Sequence, residues 1–205
     1  MRLGILGSGQ GSNMTAIAAA AEQPSAPFAI AVVLSDLADA KILALARQRG
    51  LPAKHIASGP PRPHLPPEAE REFLASLREV EVDVVVLAGF MRILSAEFVR
   101  AYPERIVNIH PSLLPAFRGL HAWKQALEYG VKVTGCTVHF VDHGVDTGPI
   151  IAQQTVPVMN DDTPELLHER IQEAERILFP ATLAMLATKK VRVEGRQARI
   201  ISPHS

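Results

Sequence analysis

Along the first hundred residues, short apolar runs alternate with stretches whose apolar positions recur every three to four residues. Leu3 to Leu6, Phe28 to Leu34, Lys54 to Ile56 and Asp83 to Ala88 read as strands. Met14 to Ala21, Ile42 to Ala46 and Pro67 to Val80 read as helices between them. The segment Asp83-Val-Val-Val-Leu-Ala88 is too apolar to face water on either side, which places it inside a sheet. Parallel neighbours need crossover connections, and those connections are right-handed. The pattern therefore predicts an α/β fold: a doubly wound, mostly parallel sheet with helices on both faces.

The second half changes character. Arg105 to Ile109 reads as a strand, Ala122 to Tyr129 as a helix, and Val133 to Val141 and Pro149 to Val158 as two long strands that extend the sheet. Thr163-Pro164-Glu165 marks a helix start with proline in the first helical position, and apolar residues from Leu166 to Leu186 keep helical spacing. Pro180 is expected to end or kink that helix. Gly59 to Pro67 holds five prolines in nine residues (Pro60, Pro61, Pro63, Pro66 and Pro67), which suits a stiff surface loop. The tail from Lys189 to Arg199 carries five basic residues against Glu194 and reads as a solvated terminal β-ribbon.

Composition narrows the class. With 205 residues, 47% hydrophobic and 20% charged, the chain can bury a full core, and one domain (1–205) is the simpler expectation. Residues 1–100 form its first half and 101–205 its second. The 21 basic and 21 acidic residues leave no net charge to attract polyanions, so a nucleic-acid partner is disfavoured. No apolar run reaches the ~18 residues of a membrane span, and the N-terminus lacks a secretory cleavage pattern, so a soluble cytoplasmic protein is expected. The single cysteine, Cys136, fits a reducing compartment.

Two segments carry candidate chemistry. Gly7-Ser-Gly-Gln-Gly-Ser-Asn13 joins the first strand to the first helix, where backbone N–H groups and the helix dipole converge on an anion. Without the lysine of a nucleoside-triphosphate loop it reads as a monophosphate cradle. A dinucleotide site remains an alternative, with Gly7, Gly9 and Gly11 out of the usual spacing and Asp36 as the ribose-binding acid, and so does a plain glycine turn. In the second half, alternation along the strand puts Asn108 and His110 on one face at its carboxyl end. An amide donor beside an imidazole suits acyl-type chemistry, in which a tetrahedral oxyanion needs a donor and a leaving nitrogen needs a proton. Of the carboxylates in the turn Asp142-His-Gly-Val-Asp146-Thr-Gly148, Asp146, flanked by turn glycines, is the better candidate to fold back onto His110. A metal site from His110, His139, His143, Asp142 and Asp146 matches no ligand spacing, and no metal is expected. Cys136 in an apolar strand reads as a buried, unreactive thiol, and His139 as a hydrogen-bonded core histidine.

The segments Gly9-Gln-Gly-Ser-Asn13, Leu87-Ala-Gly-Phe-Met-Arg-Ile-Leu94, Asn108-Ile-His-Pro-Ser-Leu-Leu-Pro115 and Val138-His-Phe-Val141 through Asp146 together resemble the phosphoribosylglycinamide formyltransferase family of folate-dependent enzymes. The resemblance spans nearly the whole chain, and the phosphate loop separates it from the related hydrolases and methionyl-tRNA formyltransferases. It implies a Rossmann-like, formyltransferase-type fold and formyl transfer from 10-formyltetrahydrofolate to glycinamide ribonucleotide. A weak homodimer is compatible with it. By resemblance, Asn108, His110 and Asp146 are the catalytic trio, and Gly11, Ser12 and Asn13 are the phosphate loop. Glu175 and Gln172 lie at the glycinamide end of the substrate. The backbone of Met91, Arg92, Ile93 and Leu94, together with Asn108 and the loop carrying Val141 and Val145, holds the folate ring. One departure concerns the arginine that meets the folate tail in some relatives: Pro66 stands there, with Arg62 and Arg71 as substitutes. Formyltetrahydrofolate hydrolysis, with water replacing the amine, is the runner-up activity.

Overall fold

The computed structural model describes residues 1–60 and 62–201, so Pro61 of the proline-rich loop lies outside the described residues. The elements run β1 (Arg2–Leu6), α1 (Ser12–Ala21), β2 (Ala29–Ser35), α2 (Lys41–Gln48), β3 (Ala53–His55), α3 (Pro67–Glu79), β4 (Val84–Leu87), α4 (Ala96–Ala101) and β5 (Ile106–His110). They continue with α5 (Ala122–Tyr129), β6 (Val133–Phe140), β7 (Ile150–Pro157), α6 (Pro164–Thr188), β8 (Lys190–Glu194) and β9 (Gln197–Ile201). The fold is α/β with a mostly parallel sheet, and the chain divides into two compact units, one ending at Val107 and the other starting at Asn108.

In the first unit the strand order is β3-β2-β1-β4, and the pairs β1/β2, β1/β4 and β2/β3 are parallel. From β1 the chain steps outward to β2 and β3, then returns to place β4 on the other side of β1. Right-handed crossovers therefore put α1 and α2 on one face and α3 on the other. The order reverses between β1 and β4, the position at which open α/β sheets bind ligands at the carboxyl ends of their strands. Leu3, Ile5, Val85 and Val86 are buried in the sheet, beneath Ile17 and Leu43 of the first two helices and Phe73 and Leu77 of α3. Helix α4 has too few apolar turns to register as periodicity, and its start is fixed by Ser95, whose hydroxyl accepts the Glu97 and Phe98 N–H groups.

In the second unit β6 and β7 are antiparallel, β7 pairs with β9 in parallel, and β8 and β9 form the expected antiparallel ribbon. Helix α6 does not end at Pro180 but runs on to Thr188. Proline removes one backbone hydrogen bond, yet Phe179, Thr182 and Leu183 are buried on either side of it, and this packing holds the helix through the defect. Among the described residues no helix is long and apolar enough to cross a membrane.

Candidate active site

The loop after β1 is shaped by a glycine that nothing else could replace. Gly11 caps α1 with φ +79°, and a Cβ there would lie 2.9 Å from the Ile42 Cα. Helix α1 opens at Ser12 with no acidic residue in its first turn, so no carboxylate competes for an anion at its positive end. The Ser8 N–H donates to the Gly89 carbonyl at 3.0 Å, joining this loop to the one after β4.

Asp36 is not a ribose-binding acid. Its carboxylate is buried, accepts the Ser8 hydroxyl at 2.6 Å, and pairs with the Arg92 Nε at 2.6 Å. A carboxylate sealed from solvent against a buried guanidinium is not presented to a cofactor hydroxyl, which argues against the dinucleotide alternative. Within the stretch Met91 to Leu94, Met91 and Ile93 are exposed while Arg92 and Leu94 are buried. The Met91 N–H donates to the Ser8 Oγ at 3.0 Å and the Ile93 N–H to the Pro63 carbonyl at 2.7 Å. Pro66 caps α3, and Arg62 and Arg71 are both exposed, Arg71 beside Glu68 at 3.6 Å.

In the second unit the end of β5 and the turn after β6 bring the expected trio together. His110 is 4% exposed, and its Nδ1 lies 3.2 Å from the Asp146 Oδ2. Its Nε2 lies 2.8 Å from the Phe117 carbonyl, which can only accept, so Nε2 carries a proton. The ring thus has a carboxylate at one nitrogen and a carbonyl at the other. Asp146 adopts φ +52° and also accepts the Gly119 N–H at 2.9 Å. Asp142, the other candidate, stays within its own turn, where it accepts the Gly144 N–H and the Thr147 hydroxyl.

Asn108 brings in a fourth member that the sequence reading left out of the site. Its Nδ2 lies 3.2 Å from the His139 Nε2, while the His139 Nδ1 lies 2.8 Å from the Phe140 carbonyl. The carbonyl requires the proton on Nδ1, leaving Nε2 as the acceptor for the Asn108 amide. Burial pushes the His139 pKa down, which keeps the ring neutral and able to accept. The pairing of β6 with β7 shifts register between Val138 and His139, an irregularity that re-aims side chains. His139 is thus a hydrogen-bonded buried histidine, as expected, but its partner is the amide of the site.

Of the remaining expected residues, Val141 is partly exposed and Val145 exposed, on either side of the turn that carries Asp142. On α6, Glu175 is buried and its charge, after burial itself, helps push the Cys136 thiol up to about 12. One turn away, the Gln172 Nε2 lies 3.4 Å from the His168 Nε2, and the His168 ring stacks on Trp123 at 3.7 Å and 4°. No local pattern signals that stack, because its partners come from different helices. Among the described residues no group of three histidine, cysteine or acidic side chains is arranged to hold a metal ion.

Known proteins resemble this chain over most of its length. The Formyl transferase family matches residues 1–183. The trifunctional purine biosynthetic protein adenosine-3 of Gallus gallus is 43% identical over 197 residues, which are 94% of this chain but only 19% of that protein. The phosphoribosylglycinamide formyltransferase of Mycobacterium tuberculosis (strain ATCC 25618 / H37Rv) is 58% identical over 118 residues, 58% of this chain and 55% of that one. The crystal structure of glycinamide ribonucleotide transformylase 1 from Symbiobacterium toebii is similar with a TM-score of 0.91 and 45% identity, covering 98% of this chain and 94% of that one. By the extent of these matches, the chain belongs to the formyl transferase family.

Proposed function

We propose that this protein transfers the formyl group of 10-formyltetrahydrofolate to the amine of glycinamide ribonucleotide, by direct attack through a tetrahedral intermediate. The observation that carries the reading is the cluster of Asn108, His110, His139 and Asp146, in which an amide donor bonded to His139 lies beside a histidine–carboxylate pair, the His110 Nδ1 at 3.2 Å and the His139 Nε2 at 3.7 Å from the Asp146 carboxylate. The amine nitrogen bonds to the formyl carbon, the carbonyl oxygen takes the electron pair, and the amine gives up a proton. The bond to the folate N10 then breaks as that nitrogen is protonated, leaving N-formylated ribonucleotide and tetrahydrofolate.

Asn108 donates to the oxyanion, a role whose loss costs about 10²–10³ in turnover in comparable sites. The cationic ring of His110 shares that negative charge, and Asp146 holds the ring charged and helps relay the proton to N10, work worth roughly 10²–10⁴. Gly11, Ser12 and Asn13 hold the phosphate, Gln172 and Glu175 the glycinamide end, and the Met91 to Leu94 backbone with Val141 and Val145 the folate ring. Formyl donor and ribonucleotide are the only cosubstrates, and no metal takes part. In this reading the chain is a single formyltransferase domain, working in the cytoplasm on small molecules and compatible with a weak homodimer.

The test follows the ultraviolet change as 10-formyltetrahydrofolate loses its formyl group, with and without glycinamide ribonucleotide. Loss that requires the ribonucleotide supports transfer. Ribonucleotide-independent loss would make the chain a hydrolase, and no loss in either case would overturn the reading.

A further inference from the structure

Ser8, Asp36 and Arg92 form a buried cluster that no step of the chemistry uses. Ser8 belongs to the loop after β1, Asp36 follows β2, and Arg92 lies in the loop after β4, so three chain segments that are distant in sequence meet at one ion pair. The Asp36 and Arg92 side chains are 2% and 3% exposed. The Ser8 hydroxyl donates to the Asp36 Oδ1 at 2.6 Å and accepts the Met91 N–H at 3.0 Å, while its own N–H is bonded to Gly89. Arg92 completes the connection: Nε donates to the Asp36 Oδ2, and Nη1 to the Arg62 carbonyl at 2.6 Å and the Pro60 carbonyl at 3.3 Å. Pro60 and Arg62 are therefore tied to the same ion, and the Pro63 carbonyl takes the Ile93 N–H.

We propose that Ser8, Asp36 and Arg92 are positioning residues that lock the phosphate loop and the Met91–Leu94 backbone into one rigid piece, braced by the carbonyls of Pro60, Arg62 and Pro63, so that the segments holding the two substrates are set by a single buried ion pair. The proposal rests on the reading of those two loops as substrate-holding. Its physical basis is the cost of leaving any part unmade. A buried carboxylate and guanidinium are each expensive alone and tolerable only as a hydrogen-bonded pair. Serine is the one neutral side chain in the cluster that both donates to the carboxylate and accepts from the backbone, which transmits the position of the ion pair to the Met91 peptide.

Three variants of the full chain test this. Ser8→Ala leaves the ion pair intact but removes the link to Met91, Asp36→Asn weakens the pair, and the combined Asp36→Leu and Arg92→Met replaces both charges by apolar groups and so keeps the fold if Asp36→Asn does not. Two readouts are taken: backbone hydrogen exchange without substrates, and KM and kcat for both substrates. The expected result for Ser8→Ala is exchange at the Met91 amide faster by about tenfold, as for a lost hydrogen bond worth about 1.4 kcal/mol. KM for the formyl donor should rise several-fold, with a smaller rise for the ribonucleotide and kcat changed least. The combined variant should keep a cooperative melt and still show the raised KM values. Unchanged Met91 exchange in Ser8→Ala, or normal KM values in the combined variant, would overturn the proposal. Faster exchange in a protein whose unaltered form shows no formyl transfer would instead fault the reading of function, leaving the rigid connection in place and its role in substrate binding refuted.

Discussion

His139 should matter to turnover without touching substrate, because it fixes the Asn108 amide, which the proposed mechanism aims at the oxyanion. The Asn108 side chain has two N–H groups, and the bond to the His139 Nε2 at 3.2 Å decides which way the amide faces. Replacing His139 with phenylalanine keeps an aromatic ring but removes the acceptor. A neutral hydrogen bond of this kind contributes about 0.5–1.5 kcal/mol net, so the bias toward the productive orientation falls by roughly 2- to 10-fold. Turnover of His139→Phe should fall by up to that factor, against about 10²–10³ for Asn108→Ala, which removes the donor itself. The two losses act through one amide and should not multiply: in an Asn108→Ala background, His139→Phe should cost less than about twofold. Steady-state kcat for the four proteins of this cycle, with circular dichroism to confirm folding, is the assay. A His139→Phe loss that persists in full in the Asn108→Ala background would refute the reasoning.

The same substitution has a pH signature. Burial lowers the folded pKa of His139 from its ordinary 6.5, so protons bind the unfolded chain more readily than the folded one. The stability from this group is complete above about pH 6.5 and is lost as the pH falls below it. His168, also lowered by burial and by the nearby His121, adds to the same drift. Urea midpoints of His139→Phe should therefore decline less between neutral and mildly acid pH than those of the unaltered protein.

Three further outcomes can be checked directly. Asp162 accepts both Arg170 Nη groups at 2.8 Å and the Met159 N–H, and these bonds, the Arg170 pair above all, hold its carboxyl below the usual 3.8. Asp162→Asn should cost about 1 kcal/mol at neutral pH, and the two proteins should converge in denaturant midpoint as the pH falls below that value, since a depressed carboxylate stabilises only while ionised. Gly148→Ala would drive a Cβ into the Phe140 carbonyl behind the turn bearing Asp146. It should lower stability by about 1–3 kcal/mol and turnover by more than tenfold, read by thermal melting and the formyl-transfer assay. Cys136, with its thiol pushed up to about 12 and its side chain buried, should resist thiol reagents at pH 8 in the folded protein and react at once in denaturant.

What could be read in the sequence follows the range of the interactions involved. The strands and helices of the first unit are visible because periodicity is local, and Asn108 and His110 fall on one face through simple alternation on β5. The placing of Asp146 over His110 could be anticipated because the Asp142 to Gly148 turn must fold back. The fate of Asp36 could not: a carboxylate at a strand end is equally a ribose ligand or an ion-pair partner until Arg92, 56 residues away, is placed beside it. The role of His139 was hidden for the same reason, since its partner lies 31 residues earlier. Pro180 misleads because its cost is local and known, whereas the burial that outweighs it comes from the sheet beneath α6.

A single turnover with 10-formyltetrahydrofolate carrying ¹³C in its formyl group, mixed with glycinamide ribonucleotide and followed by carbon NMR, bears most directly on formyl transfer by direct attack. The label should pass from the donor to the formylated ribonucleotide at one rate, with neither free formate nor protein-bound formyl accumulating. Label appearing first as formate, or on the protein, would contradict transfer by direct attack of the amine.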